Sequence, residues 1–232
     1  MDARDRIWVA VEGAGIAILD PQRRRFTRLR KDDGLGSDEV WSLAVQGEAV
    51  WVGTYDAGIT RIDGDGRMRR QAQPEGLPSD TVLALAVDAA GTAWAGTDAG
   101  LARWTGARWV VEALPGADAA PIVYALVPQA DGLWAGTSLG VWQQRAGRWV
   151  QPAWSAMFQR PNALTAIATD AAGDHWIGSQ RGLWRQHGET VPVPVKPGGP
   201  DIPRLVMTLV AQPDGALWAP LAGLGLGYLR SD

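Results

Sequence analysis

Cysteine is absent from this chain. Disulfides, thiolate metal sites and cysteine nucleophiles are excluded with it. Histidine is nearly absent: His175 and His187 are the only two, too few for a multi-histidine metal centre. No apolar run approaches the ~20 residues that a membrane-crossing helix needs, so no direct membrane insertion is expected. The first ten residues, MDARDRIWVA, are charged and pass straight into a strand-like segment, unlike a secretory leader. The expectation is either a processed chain or a piece of a longer protein. An excess of positive charge is also lacking. The formal net charge of −3 argues against nucleic acid as a partner. Phe and Tyr number only 2 and 3, against 13 Trp. The aromatic content therefore sits almost wholly in one residue type, and the spacing of that residue explains why.

The residues present are organised as a repeat. Six tryptophans, Trp8, Trp51, Trp94, Trp134, Trp176 and Trp218, follow one another at spacings of 43, 43, 40, 42 and 42. Gly53, Gly96, Gly136 and Gly178 come two residues after a Trp, each followed by Thr or Ser. A further glycine follows at 15, 58, 100, 140 and 182. One unit shows the logic. Val82–Asp88 is an apolar run of strand length. Asp88-Ala-Ala-Gly91 is a turn, because Asp bonds its own downstream backbone and Gly accepts positive φ. Thr92–Thr97, Leu101–Trp104 and Arg108–Glu112 supply three more short strands. Four antiparallel strands per ~40–45 residues is the pattern of a propeller blade. No stretch carries sustained helical periodicity. The fold class is therefore all-β: one β-propeller domain of about six four-stranded blades, period ~42. The blades cover 2–31, 34–73, 76–112, 118–151, 162–195 and 204–230. The first lacks its inner strand and the last its outer strand, so either six units close as an imperfect ring or the chain is an arc of a larger one. Self-association through these incomplete terminal blades is a consequence to test. Pro220 cannot donate to a ladder, which predicts an edge or irregular strand there. The glycine after each Trp is expected to let a neighbouring sheet come close, with the Trp filling the space between blades.

GLPSDTVLALAVDAAGTAWAGTDAGLARW (residues 76–104), with 35–60 and 163–184 nearly as well, resembles the two-component regulator propeller repeat. The resemblance covers essentially the whole chain. It implies a sensor β-propeller of hybrid two-component or diguanylate cyclase signalling proteins, extracytoplasmic and without catalysis of its own. The implied partner is a small molecule or carbohydrate ligand, or another protein. No cofactor is implied. The chain departs from such parent proteins in having no kinase or cyclase module and no transmembrane helix.

Asp88 and Asp170 have the look of catalytic carboxylates until the repeat is seen; both open the same turn and are structural. Asp38, Asp80 and Asn162 precede inner strands at equivalent places and are expected to bond local backbone. Asp63-Gly-Asp65-Gly is too short for a metal loop, and no phosphate loop or Ser-His-Asp set is present. Function is then sought where the repeat breaks, on the face carrying the interblade loops and the turns between second and third strands. Tyr55, Asp56, Asp98, Gln180 and Arg181 break the small-residue pattern of those turns. The insertion PAWSAMFQRPN, residues 152–162, adds Trp154, Phe158 and Arg160. Two readings compete for it: an aromatic platform for a sugar ring or acidic group, or a loop packed on its own apolar side chains. RRRFTRLRK, residues 23–31, reads as a solvated outer strand whose charge discourages edge pairing. Some streptogramin lyases carry related repeats, but a lyase or hydrolase needs a general base on the ligand face. His175 adjoins a framework Trp beyond a turn on the opposite face, and His187 follows a third strand, so neither is placed for it.

Overall fold

The computed structural model describes residues 1–129, 132–195, 205–212, 216–221 and 225–230. Six antiparallel sheets stand in a ring, a six-bladed propeller. The second to fifth sheets have four strands and the first and last have three. Blade 1 holds Ile7–Val11, Gly15–Leu19 and Phe26–Leu29. Blade 3 is complete, with Val82–Val87 innermost, then Ala93–Thr97, Gly100–Trp104 and Trp109–Glu112. Blade 6 holds Val210–Ala211, Ala216–Leu221 and Gly225–Arg230. The blades follow chain order, each packing on the next.

The Trp-x-Gly-Thr repeat has one physical explanation per residue. The Trp of one blade faces the following blade. Trp51 lies fully buried against Trp109 of blade 3, edge to face at 5.4 Å. Trp94 meets Trp149 of blade 4 in the same way at 5.7 Å. The Gly is where the next inner strand touches down. A Cβ at Gly96 would stand 2.6 Å from Val123, and one at Gly136 would stand 2.5 Å from Leu164. The hydroxyl closes the hairpin that follows. Thr97 Oγ1 donates to the Gly100 carbonyl at 2.9 Å and accepts from the Ala99 amide at 3.1 Å, and Thr54, Thr137 and Ser179 make the corresponding pairs.

The aspartate before each turn does more than bend the chain. Asp88 Oδ1 accepts from the amides of Ala90 and Thr92, while Oδ2 accepts from Trp94 Nε1 at 2.8 Å. Asp170 binds Ala172, Asp174 and Trp176 identically. Asp2 repeats the arrangement with Arg4, Arg6 and Trp8 and adds an ion pair to Arg6 Nε at 2.7 Å. One carboxylate thus ties the turn to the interblade indole. Asp38 and Asp80 also bond backbone, accepting from the Lys31 and Gln73 amides at 2.8 Å. Asn162 donates to the Met157 carbonyl at 2.7 Å.

Two expectations change. Pro220 sits in the central strand of blade 6, paired with Leu226. The strand on its other side covers only Val210–Ala211, opposite Trp218 and Leu217, so no ladder partner needs the amide that proline lacks. The insertion 152–162 is not an exposed platform. Trp154 is buried against Trp134 at 5.7 Å, and Phe158 is fully buried between Trp154 and Trp184. Blade 5 has no Trp in its outer strand, Val193–Pro194, and Trp154 takes the contact with blade 4 that an outer-strand Trp makes elsewhere. The basic segment behaves as expected: Phe26–Leu29 is an exposed outer strand.

The outward faces of the terminal blades are not buried. Val9, Val11 and Phe26 of blade 1 are 42%, 39% and 61% exposed, whereas Val50 and Val52 of blade 2 are fully buried. On blade 6, Val210, Leu226 and Tyr228 are 50%, 65% and 45% exposed.

Three predictions follow from this packing. Gly96→Ala forces a methyl into Val123 and should cost about 1–3 kcal/mol in denaturant unfolding, as overpacking does. Trp154→Ala should cost about 3–5 kcal/mol, as a core aromatic deletion does, rather than act on binding alone. Burial raises the Asp2 carboxyl, but the hydrogen bonds from Trp8 and Arg6 outweigh it and hold the group below its ordinary value. Its stabilising effect is present above the unfolded value of ~3.9 and is lost as pH falls through the lower folded value. Asp2→Asn should therefore lower the melting temperature at neutral pH and flatten its decline below about pH 4, as read by calorimetry across pH.

Candidate functional site

The loops that do not repeat lie at one mouth of the ring, and the inner strands beneath them share a device. In blades 2 to 5 the first residues of the inner strand slip register against the second strand, between Val40 and Ser42, Val82 and Ala84, Val123 and Ala125, and Leu164 and Ala166. A bulge of this kind re-aims one side chain out of the ladder. The residues ejected are Trp41, Leu83, Tyr124 and Thr165. Met207 stands at the same place in blade 6, after the buried Val206, and is 64% exposed. The flanking residues barely change from blade to blade, whereas these five are all different.

A cavity of about 400 Å³ occupies the middle of the ring, with Ser42, Tyr124, Thr165 and Met207 among its lining residues. Among the described residues, two hydroxyls of these lining residues make no hydrogen bond: Ser42 Oγ, which faces Gly53, and that of Tyr124, both buried. A buried polar group left unpaired costs roughly 1–3 kcal/mol.

Trp41 departs from every other tryptophan in the chain. It is 53% exposed and stands 5.3 Å from the ring of Tyr55, itself 50% exposed, at an angle of 33°. The Tyr55 amide donates to the Glu39 carbonyl at 3.0 Å, which draws the turn of blade 2 onto the start of its inner strand and makes the two rings neighbours. The residues singled out from sequence separate into two groups. Tyr55, Asp56 and Asp98 are exposed on blades 2 and 3. Arg160, half-buried Gln180 and exposed Arg181 lie at blade 5. There Gln180 Oε1 accepts from the Ala163 amide at 3.3 Å and the Arg160 amide donates to Ser138. Trp154 and Phe158 belong to neither group because they are core. Sequence reasoning missed Trp41, Tyr124 and Met207. The signal was available: in the aligned repeats, one variable position follows each inner-strand Val or Leu.

The histidines lie on the other side of the molecule. His175 Nδ1 is 3.0 Å from Thr169 Oγ1, and its ring packs on Trp134. His187 Nδ1 bonds Asp174 Oδ1, and Arg185 Nε bonds Asp174 Oδ2 at 2.8 Å. Burial raises the Asp174 carboxyl, but the bonds from His187 and Arg185 prevail and hold it low. A carboxylate so paired is a fixed anion rather than a proton carrier. Among the described residues no cluster of three or more His, Asp or Glu could hold a metal ion. No helix there is long and apolar enough to cross a membrane.

No protein-family profile matches the chain, and no curated protein resembles it in sequence. Solved structures do resemble it in shape. The extracellular domain of a protein named as the hybrid two-component system BT4673 of B. thetaiotaomicron superposes with a TM-score of 0.82 at 19% identity, covering 98% of this chain and 31% of that one. The corresponding domain of BT3049 from the same organism gives 0.78 at 18% identity, over 97% and 32%. A catalytically inactive virginiamycin B lyase from Staphylococcus aureus, solved with quinupristin, gives 0.74 at 14% identity, over 98% and 85%. The chain spans about a third of the length of the sensor ectodomains it matches. What it shares with them is the fold, a propeller of the kind found in the extracellular domains of two-component sensors.

Proposed function

We propose that this chain is a non-catalytic, ligand-binding propeller module of a signal-transduction protein, working outside the cytoplasm. One observation carries the reading. The mouth of the ring holds four different residues at one repeated bulge, with Met207 at the corresponding place in blade 6, and three of these five line a central cavity, while the framework beneath is nearly invariant. A scaffold that varies only there is built to present a specific surface. The likeness to extracellular sensor domains supports the signalling context, and the exposed Trp41–Tyr55 pair supplies contact area of the kind ligands use. The histidines, on the opposite side and tied to framework partners, support binding over chemistry at this mouth. A propeller in a sensor would act by coupling ligand occupancy to an output elsewhere in the protein.

A protein-interaction scaffold is the second reading. The exposed apolar faces of blades 1 and 6 favour it, since such faces are usually covered by another polypeptide or a second copy. A screen of small molecules and oligosaccharides by calorimetry, alongside light scattering of the purified chain, separates the two. The sensor reading expects saturable binding, weakened at least about tenfold by Trp41→Ala with Tyr55→Ala and without loss of melting temperature. No small-ligand binding, together with a stoichiometric protein partner or stable dimer, would replace it with the scaffold reading.

A further inference from the structure

The Trp41–Tyr55 pair has a chemical setting that narrows what it would hold. All 13 tryptophans are among the described residues, and Trp41 alone is classed as exposed. Exposing an indole beside a phenol forfeits burial that the other copies of this repeat use, so the pair needs a reason other than packing. The two rings are tilted at 33° rather than parallel. They open as a shallow V, which suits a compact group touching both faces better than a flat ring slid between them.

Several carboxylates gather around the pair. Glu39 lies two residues before Trp41, and its backbone carbonyl accepts from Tyr55 at 3.0 Å. Its Oε1 lies over the first turn of blade 1, where a Cβ at Gly13 would be 3.7 Å away, next to Glu12. Asp56 follows Tyr55 directly. Glu12, Glu39 and Asp56 are exposed and make no ion pair or side-chain hydrogen bond among the described residues. Arg70 approaches the same turn but donates its Nε to the Ala57 carbonyl at 2.9 Å, leaving Asp56 unpaired. The wall of the central cavity continues from this point. Ser42, the residue after Trp41, lines it, as does Tyr124 of blade 4.

We propose that this corner of the mouth binds a compact organic cation, an alkylammonium group carrying a hydrogen-bonding tail. The negative faces of indole and phenol attract a desolvated cation within about 6 Å. The Glu39 and Asp56 carboxylates neutralise its charge, and the tail points toward the central cavity. A neutral sugar would use the rings but gain nothing from the unpaired carboxylates. An anionic ligand would be repelled by them. Of the basic side chains near this mouth, Arg70 is held to the Ala57 carbonyl, and Arg160 and Arg181 stand at blade 5. The inference rests on the ligand-binding reading above and names the ligand class for that same mouth.

The test uses choline and its neutral carbon isostere, 3,3-dimethylbutan-1-ol, titrated into the full chain by calorimetry and by NMR of the indole Nε1–H signals. Choline should bind saturably and shift the Trp41 signal. The isostere should bind at least about tenfold more weakly, the factor expected when a desolvated cation–π contact is lost. Trp41→Ala and Glu39→Gln should each weaken choline, and raised salt should weaken it further. Both side chains are exposed, so circular dichroism and melting temperature should stay unchanged. Absence of choline binding, equal binding of the isostere, or indifference to both substitutions would overturn the proposal. If a neutral ligand from the wider screen then binds at this mouth, the sensor reading survives alone. If nothing binds there, both fall together.

Discussion

The interlock between a tryptophan-glycine pair on one blade and the inner strand of the next is what the whole molecule depends on. A propeller has no single core. Its apolar burial is distributed over successive interfaces between sheets, each of which must be dense on its own. Removing a side chain at Gly53, Gly96, Gly136 or Gly178 lets the neighbouring Val or Leu reach the backbone. The adjacent indole then fills the wedge that widens away from the axis. This explains the excess of tryptophan over the smaller aromatics, since the wedge needs a large flat body with one polar edge. That edge is satisfied within the same blade, by Asp88, Asp170, Asp2 or, in blade 2, by Gln46. Turn, hairpin and interface are thus closed by neighbouring side chains of one short motif, and this is why the motif recurs as a block.

Such a frame leaves little freedom elsewhere. The inner strands must present small or branched residues to the preceding glycine, and the second strands are buried on both faces. The bulge at the start of the inner strand in blades 2 to 5 is where a side chain escapes both demands. It points out of the ladder, touches no neighbouring blade through the interlock, and can vary without disturbing the fold. That the four bulge residues range from Thr to Trp follows from this freedom. The same logic makes the mouth of the ring the place where specificity is presented.

The terminal blades show the interlock left incomplete. Blade 2 covers one face of blade 1, burying Ile16 and Ile18, and blade 5 covers one face of blade 6, burying Leu217 and Ala219. The opposite faces carry apolar residues in the same alternation, and Val9, Val11, Phe26, Val210, Leu226 and Tyr228 there are left exposed among the described residues. The chain therefore carries at each end half of an interface of the kind it uses five times internally.

The repeat, the all-β class and the structural role of the turn aspartates were legible in the sequence, because each is a local consequence of residues spaced within one unit. Asp88 bonds amides two and four residues away, and Thr97 closes a hairpin three residues long; no distant contact is needed to infer either. The candidate site was only half legible. Tyr55 and Asp56 stood out because they interrupt a turn pattern. The burial of Trp154 and Phe158 could not be read, because it depends on blade 5 having no tryptophan in its outer strand, a vacancy visible only when blades face one another. Trp41 was hidden among twelve packing tryptophans. Its escape to the surface depends on a one-residue register shift against a second strand and on the proximity of Tyr55. Spacing within the chain determined which fold would form. The packing of one sheet on the next decided which of its aromatics face solvent, because exposure belongs to the interface and not to the residue.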